Sequence, residues 1–218
     1  MNIIGIDLSG PANHKDTVIA ILKEDHQKLK INHLEAEVSD EKIFSLIERQ
    51  LSNNEILHIG IDAPLSYQDG GGDRPADRSL RTFAKSLGMK SGSIMPPTLT
   101  RMVYLTMRGI HLAHMLRNHF GDYIQLFEVH PGIALASRLP RDRRSMALHY
   151  KKDKEYRFKV MEWLFQHYLS HSPFHAPSTH HVDALLAGIA TWHAASPDRS
   201  PTWQVEAHSP HHPFPFIC

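Results

Sequence analysis

The tetrapeptide Ile-Gly-Ile-Asp occurs twice, at Ile4-Gly5-Ile6-Asp7 and Ile59-Gly60-Ile61-Asp62, and it constrains the fold more than any other stretch. Each copy is short, β-branched and apolar up to its acid, as expected of a strand covered on both faces in an α/β sheet. The acid breaks that pattern. A carboxylate at the rim of an apolar strand is costly unless it is hydrogen-bonded, paired or bound to a metal, and ligands of open α/β sheets bind at the carboxyl ends of the strands. The alternative is that each Asp only caps a turn, Asp7 ahead of Ser9-Gly10-Pro11 and Asp62 ahead of Ala63-Pro64, since Asp is a common turn residue. The duplication weighs against that alternative.

Around these two strands the pattern is that of an α/β chain. Residues 2–8 and 17–22 read as strands joined by a short turn, which favours an antiparallel pair, and residues 29–34 as a third strand with one wetter face. Ser39 offers a helix N-cap, with Ile43, Phe44, Leu46, Ile47 and Leu51 at helical spacing. That helix carries the chain to the second Ile-Gly-Ile-Asp strand, parallel to the first. Residues 69–72 and 88–97 are glycine- and proline-interrupted segments, expected to bury little surface and to move in the absence of ligand. Between them lies a helix with Arg74, Asp77, Arg78 and Arg81 on roughly one face. Thr100 is placed to cap a helix running to His119, most of whose methionines and leucines are expected in the core. A strand over 123–129 carries Glu128 near its carboxyl end. Helices follow over 154–169 and 179–194, the last apolar almost throughout except at Asp183, and residues 203–206 are too short to assign.

A length of 218 residues suits one sizeable core, with a single domain over 1–200 and a Pro/His-rich tail over 201–218. The net charge of +1 sets no global field that would dictate a partner. The lone cysteine, Cys218, excludes an internal disulfide framework and a cysteine-based zinc site. No apolar run approaches the ~18 residues that span a bilayer, and the N-terminus lacks signal-peptide character, so a cytoplasmic location is expected. Of 18 histidines, His208, His211 and His212 lie in the proline-broken tail, where adventitious metal binding is expected rather than a fixed site.

Three strand-end acids and one acid in the first turn of a buried helix form a pattern with a chemical purpose. Carboxylates converging from different elements hold hard divalent cations; magnesium uses a few of them together with waters and substrate phosphates. Two such ions about 4 Å apart clamp the attacking and leaving oxygens of a phosphodiester displacement. From Arg138 to Lys159, nine basic side chains face three acidic ones, a local charge of +6. For a polynucleotide partner this run should lie near the acids and follow the phosphate backbone through Arg143, Arg144, Lys151, Lys152 and Lys154. Arg74, Arg78 and Arg81 could likewise meet phosphates, with a solvated charged face as the alternative.

The order of elements and acids resembles the ribonuclease H-like superfamily. More narrowly, Gly5-Ile6-Asp7-Leu8-Ser9-Gly10, Ile61-Asp62-Ala63-Pro64-Leu65, Asp77-Arg78, Glu128-Val129-His130-Pro131 and Asp183-Ala184-Leu185-Leu186-Ala187 look like an uncharacterised domain-of-unknown-function family described as predicted ribonuclease H-like nucleases. The resemblance implies an α/β fold with a five-stranded mixed sheet of order 3-2-1-4-5 flanked by helices. It implies a magnesium or manganese site at Asp7, Asp62, Glu128 and Asp183, and nuclease activity on DNA or RNA. One position departs: where the family commonly has a second Asp three residues before the helical one, this chain has His180, a candidate ligand or an ordinary helix-start histidine. The competing functions are a nucleic-acid-binding module without turnover and an enzyme acting on a small phosphoester or nucleotide.

Overall fold

Strands β1 (Asn2–Asp7) and β4 (Leu57–Asp62) run parallel, in the register that sets Gly5 opposite Gly60 and Asp7 opposite Asp62. The duplicated tetrapeptide is thus two adjacent central strands that end together. In this computed structural model, which describes residues 1–51, 55–170, 177–209 and 211–218, β2 (Val18–Asp25) pairs antiparallel with β1 and β3 (Lys28–Ala36) antiparallel with β2. On the other side β5 (Ile124–Val129) pairs parallel with β4. These five strands have the expected order 3-2-1-4-5.

The expected strand count needs correction. Among the described residues the sheet has eight strands, the five above and the short β6 (Leu169–Ser170), β7 (Gln204–Val205) and β8 (Phe216–Ile217), in the order β6-β3-β2-β1-β4-β5-β8-β7. Strand β6 extends the β3 edge, while β7 and β8 extend the β5 edge. All three are two residues long, below what alternation of apolar and polar residues can signal. Their pairing comes from tertiary context: the Glu128 amide donates to the Pro215 carbonyl at 2.9 Å, and Cys218 is fully buried. The proline-broken tail therefore completes the sheet; Pro210 alone of its prolines lies outside the described residues.

Helices cover both faces. On one, α1 (Asp40–Glu48), capped by the Ser39 hydroxyl as expected, and α3 (Val103–Phe120) bury Ile43, Ile47, Leu112 and Leu116 against Ile4, Ile6, Ile59 and Ile61. On the other lie α4 (Pro131–Arg138), α5 (Ser145–His149), α6 (Lys154–His167) and α7 (Thr179–Ala195), with α2 (Pro75–Ser86) nearer the β5 edge. No helix among the described residues is long and apolar enough to cross a membrane.

Helix α7 explains the glycines of the repeat. A Cβ on Gly5 would lie 2.0 Å from the Ala184 carbonyl oxygen, and one on Gly60 would lie 2.0 Å from Thr191 Oγ1 and 2.9 Å from the Ala187 carbonyl oxygen. The helix backbone therefore rests directly on both central strands, an approach that only a residue without Cβ permits. Fixing α7 there also fixes Asp183, one residue before the Ala184 contact, over the ends of β1 and β4.

Candidate metal centre

Asp7 ends β1, Asp62 ends β4, and Asp183 descends from the first turns of α7. One carboxylate oxygen from each can be chosen so that all lie within 4.8 Å of one another. Asp7 and Asp183 are buried and Asp62 is partly exposed. Asp62 shares a side-chain hydrogen bond with Asp7, and Asp7 and Asp183 each have a further polar partner. His180 Nδ1 meets Asp7 Oδ2 at 2.6 Å, which puts the ring proton on Nδ1 when Asp7 is ionised. The Tyr150 hydroxyl donates to Asp183 Oδ1 at 2.5 Å, and the half-exposed Lys151 ammonium donates to Asp183 Oδ2 at 2.7 Å.

The electrostatics are those of crowded like charges. Burial, reinforced by Asp183, raises the Asp7 carboxyl well above the usual range, and burial together with Asp7 does the same to Asp62. Burial also opposes the Lys151 charge, but Asp183, Asp62 and Asp7 outweigh it and hold the ammonium above its ordinary value. One flexible lysine and one histidine thus stand against three carboxylates.

Both loops that follow the acid-bearing strands are pinned by buried arginines. Arg108 of α3 donates to the Ser9 carbonyl at 2.9 Å and Thr17 Oγ1 at 2.8 Å, and pairs with Asp40 at 2.7 Å. Arg74 donates to Ser66 Oγ at 2.9 Å. A Cβ on Gly109, beside Arg108, would lie 2.7 Å from the Pro64 carbonyl oxygen, so α3 presses on the turn after Asp62 as well. Arg108 was not singled out by sequence, because a lone arginine in a helix signals nothing about the loop it will reach. Tyr150 was missed for the same reason, hidden in a run read for its charge alone.

Glu128, expected among the ligands, sits one strand away from the three aspartates and is engaged elsewhere. Arg74 Nη1 donates to its Oε2 at 2.8 Å, Arg74 Nη2 to its Oε1 at 2.5 Å, and the Leu65 amide to Oε2 at 2.9 Å. Asp77 takes the remaining face of the guanidinium, from Nε at 3.0 Å and Nη2 at 2.7 Å. Burial opposes the Arg74 charge, and Glu128 and Asp77 more than offset it. Arg74, expected to meet phosphates, is buried in this pair of ion pairs. Arg81 is held by Asp73 and the Ile94 carbonyl, while Arg78 is exposed and donates to the Asp73 carbonyl.

The basic run divides. Lys151 enters the carboxylate cluster; Arg143, Lys152 and Lys154 are exposed, and Arg144 is half-buried. Lys151 and Lys152 also line a cavity of about 810 Å³ that opens beside Asp62 and extends between the 89–95 segment, α3 and the start of α4. His130 in its wall is pushed down to about 4 by burial and by Lys151, so its ring is neutral near neutral pH, with Nδ1 accepting from the Ile133 amide at 3.4 Å.

A comparison with curated proteins finds no match. The family described as Protein of unknown function (DUF429) matches residues 5–206, a span that takes in both Ile-Gly-Ile-Asp acids, the Arg74–Glu128 network and Asp183. The chain belongs to that family.

Proposed function

We propose that this protein is a divalent-metal-dependent phosphodiesterase acting on nucleic acid, of the ribonuclease H-like type that its motifs resemble. The observation that carries the reading is the convergence of Asp7, Asp62 and Asp183 from two strands and a helix, with ligand atoms within 4.8 Å of one another. The donors are hard carboxylate oxygens, the class that magnesium and manganese take. Burial first, and mutual repulsion second, raise the Asp7 and Asp62 carboxyls, and one lysine and one histidine face them among the described residues. A bound divalent ion would relieve that repulsion and supply Lewis-acid polarisation of a phosphoryl oxygen. The chain's own residues do the rest. Tyr150 fixes the rotamer of Asp183, His180 fixes Asp7, and Arg108 and Arg74 hold the loops behind the two strand ends. Lys151, half-exposed at the rim, offers a phosphate the cation that a bare cluster of acids would deny it.

Calorimetric titration with manganese and magnesium tests this directly, alongside cleavage of labelled single- and double-stranded oligonucleotides. Wild-type protein is expected to bind and cleave, and Asp7→Asn and Asp62→Asn each to lose both. Unchanged metal affinity in both variants overturns the reading.

A further inference from the structure

The cavity beside Asp62 is larger than the carboxylate chemistry needs. It holds about 810 Å³, near the upper end of the range for pockets that enclose one small organic ligand, roughly 300–1,000 Å³. Its lining is mixed in chemistry. Asp62, Lys151 and Lys152 line it where it meets the acids; Ile94, Met95, Met102, Leu105 and Ile133 give the rest an apolar wall, with Phe216 beside the Arg74–Glu128 pair. A molecule that fits this lining has an anionic group at one end and an apolar body at the other.

We infer that this cavity receives one unstacked nucleobase, so that the unit recognised is a single nucleoside monophosphate with its phosphate at the Asp62 and Lys151 end. The inference rests on reading the carboxylates as a phosphoester site, and it narrows the substrate. A base paired and stacked within a duplex cannot enter a cleft of this size; it must be extruded or already unpaired. The wall suits a flat, polarisable ring, because methionine side chains conform to either face of an aromatic system through their thioethers. Phe216 is itself held rigid, with the Arg74 guanidinium 5.4 Å from its ring centroid and Trp203 edge-on at 5.2 Å. Contact between a base and thioether or apolar surface tolerates any base, since each has a π face. The same unit can arrive as the end of a single strand or as a free nucleotide.

The test is calorimetric titration of the full chain, with calcium replacing magnesium to suppress cleavage. The probes are adenosine 5′-monophosphate, thymidine 5′-monophosphate and ribose 5-phosphate. At least one nucleotide is expected to bind about tenfold or more tighter than the base-free sugar phosphate. Met95→Trp, which fills the cavity, should abolish that difference while leaving calcium affinity unchanged; Leu148→Trp, at a more exposed wall position, serves if the first variant does not fold. Equal binding of nucleotide and ribose 5-phosphate, or nucleotide binding unchanged in the filled variants, overturns the inference, as does equal competition by an alkyl phosphate. Failure of the metal reading shows up separately, as absence of calcium and manganese binding by wild type. In that case thymidine titrated without metal judges the cavity, and binding that the filled variants lose supports it. Displacement of bound nucleotide by a single-stranded oligonucleotide assigns the unit to a strand; displacement only by mononucleotides assigns it to a free nucleotide. Displacement by blunt duplex as readily as by single strand counts against unstacking.

Discussion

Two acidic clusters lie one strand apart at the carboxyl end of the same sheet, and they are built on opposite principles. In the first, Asp7, Asp62 and Asp183 converge with a half-exposed lysine, a histidine and the Tyr150 hydroxyl beside them. In the second, Glu128 and Asp77 share one buried guanidinium, and the Leu65 amide and Ser66 hydroxyl complete the network. Both look alike as strand-end or helix-start acids. The difference is whether the chain itself supplies a rigid cation. Where it does, each acid has a fixed cationic partner; where it does not, the carboxylates face one another. The satisfied cluster also serves the other one, because its hydrogen bonds fix residues 65 and 66 just after Asp62.

The largest expected effect comes from removing the shared cation. Arg74→Met leaves Glu128 and Asp77 buried without a partner, and breaking a buried pair in this way costs about 3–5 kcal/mol. Asp62→Asn acts in the opposite sense, since it removes one of three repelling carboxylates. Urea unfolding in chelator should therefore show Arg74→Met strongly destabilised and Asp62→Asn level with or above wild type. Comparable losses in the two variants would break the contrast. Glu128→Gln sharpens it further: stability should fall while manganese affinity stays within a few-fold of wild type, because Glu128 lies outside the converging three.

How much of this was legible beforehand follows from the same contrast. The repeat revealed the two central strands and their acids because β-branched runs ending in a charge are locally anomalous. Asp183 stood out as the one acid in an apolar helix. Glu128 gave the same local signal as Asp62, yet it is paired with Arg74, 54 positions away in sequence, and no local pattern reports such a pairing. Neither did spacing reveal why Gly5 and Gly60 are glycines, since the reason lies on α7. The edge strands β6, β7 and β8 were illegible because two-residue pairings have no periodicity. Helix α4 escaped notice although Pro131 at its first position is a start signal, because eight residues carry little more than two turns of periodicity.

The second prediction uses pH. Asp7 and Asp62 have carboxyls raised in the folded state above the unfolded value near 3.9. Their protons are then held more tightly by the native chain, so their favourable contribution is fully present below about pH 4 and is lost as pH rises through the raised folded values. Lys151, His180 and Tyr150 face the same cluster and set where that window ends. In chelator, stability should decline across this window, and Asp62→Asn should flatten the decline. Excess manganese should oppose it, because the metal takes the place of the protons. His212, beside Arg74 and Glu128, behaves in the other direction: burial lowers its pKa, so its contribution is lost as pH falls below about 6.5. Thermal melts from pH 4 to 8, with and without manganese, measure both. A chelated wild type whose stability rises steadily through the acid window would overturn the account of the aspartate cluster.

The smallest expected effect concerns the cations around each cluster. Arg143, Lys152 and Lys154 are exposed and make no ion pair among the described residues, and Lys152 lines the cavity. Arg81, beside the satisfied cluster, is already committed to Asp73 at 2.5 and 2.9 Å. On a single strand each phosphate neutralised contributes about −0.7 to the slope of log affinity against log salt. Alanine at Arg143, Lys152 and Lys154 together should make that slope shallower by at most about 2. Lys152 is expected to account for more of the change than Lys154, because it stands at the cavity wall. Arg81→Ala should leave the slope unchanged, since its guanidinium is spoken for within the fold. Binding of a labelled single-stranded oligonucleotide across a salt series, with calcium replacing magnesium, reads all of these. If Arg81→Ala flattens the slope as much as the triple variant does, the two basic regions are equivalent towards phosphate. If the triple variant has the wild-type slope, no polynucleotide track follows the 138–159 run, and recognition contracts to the one nucleotide unit at the cavity.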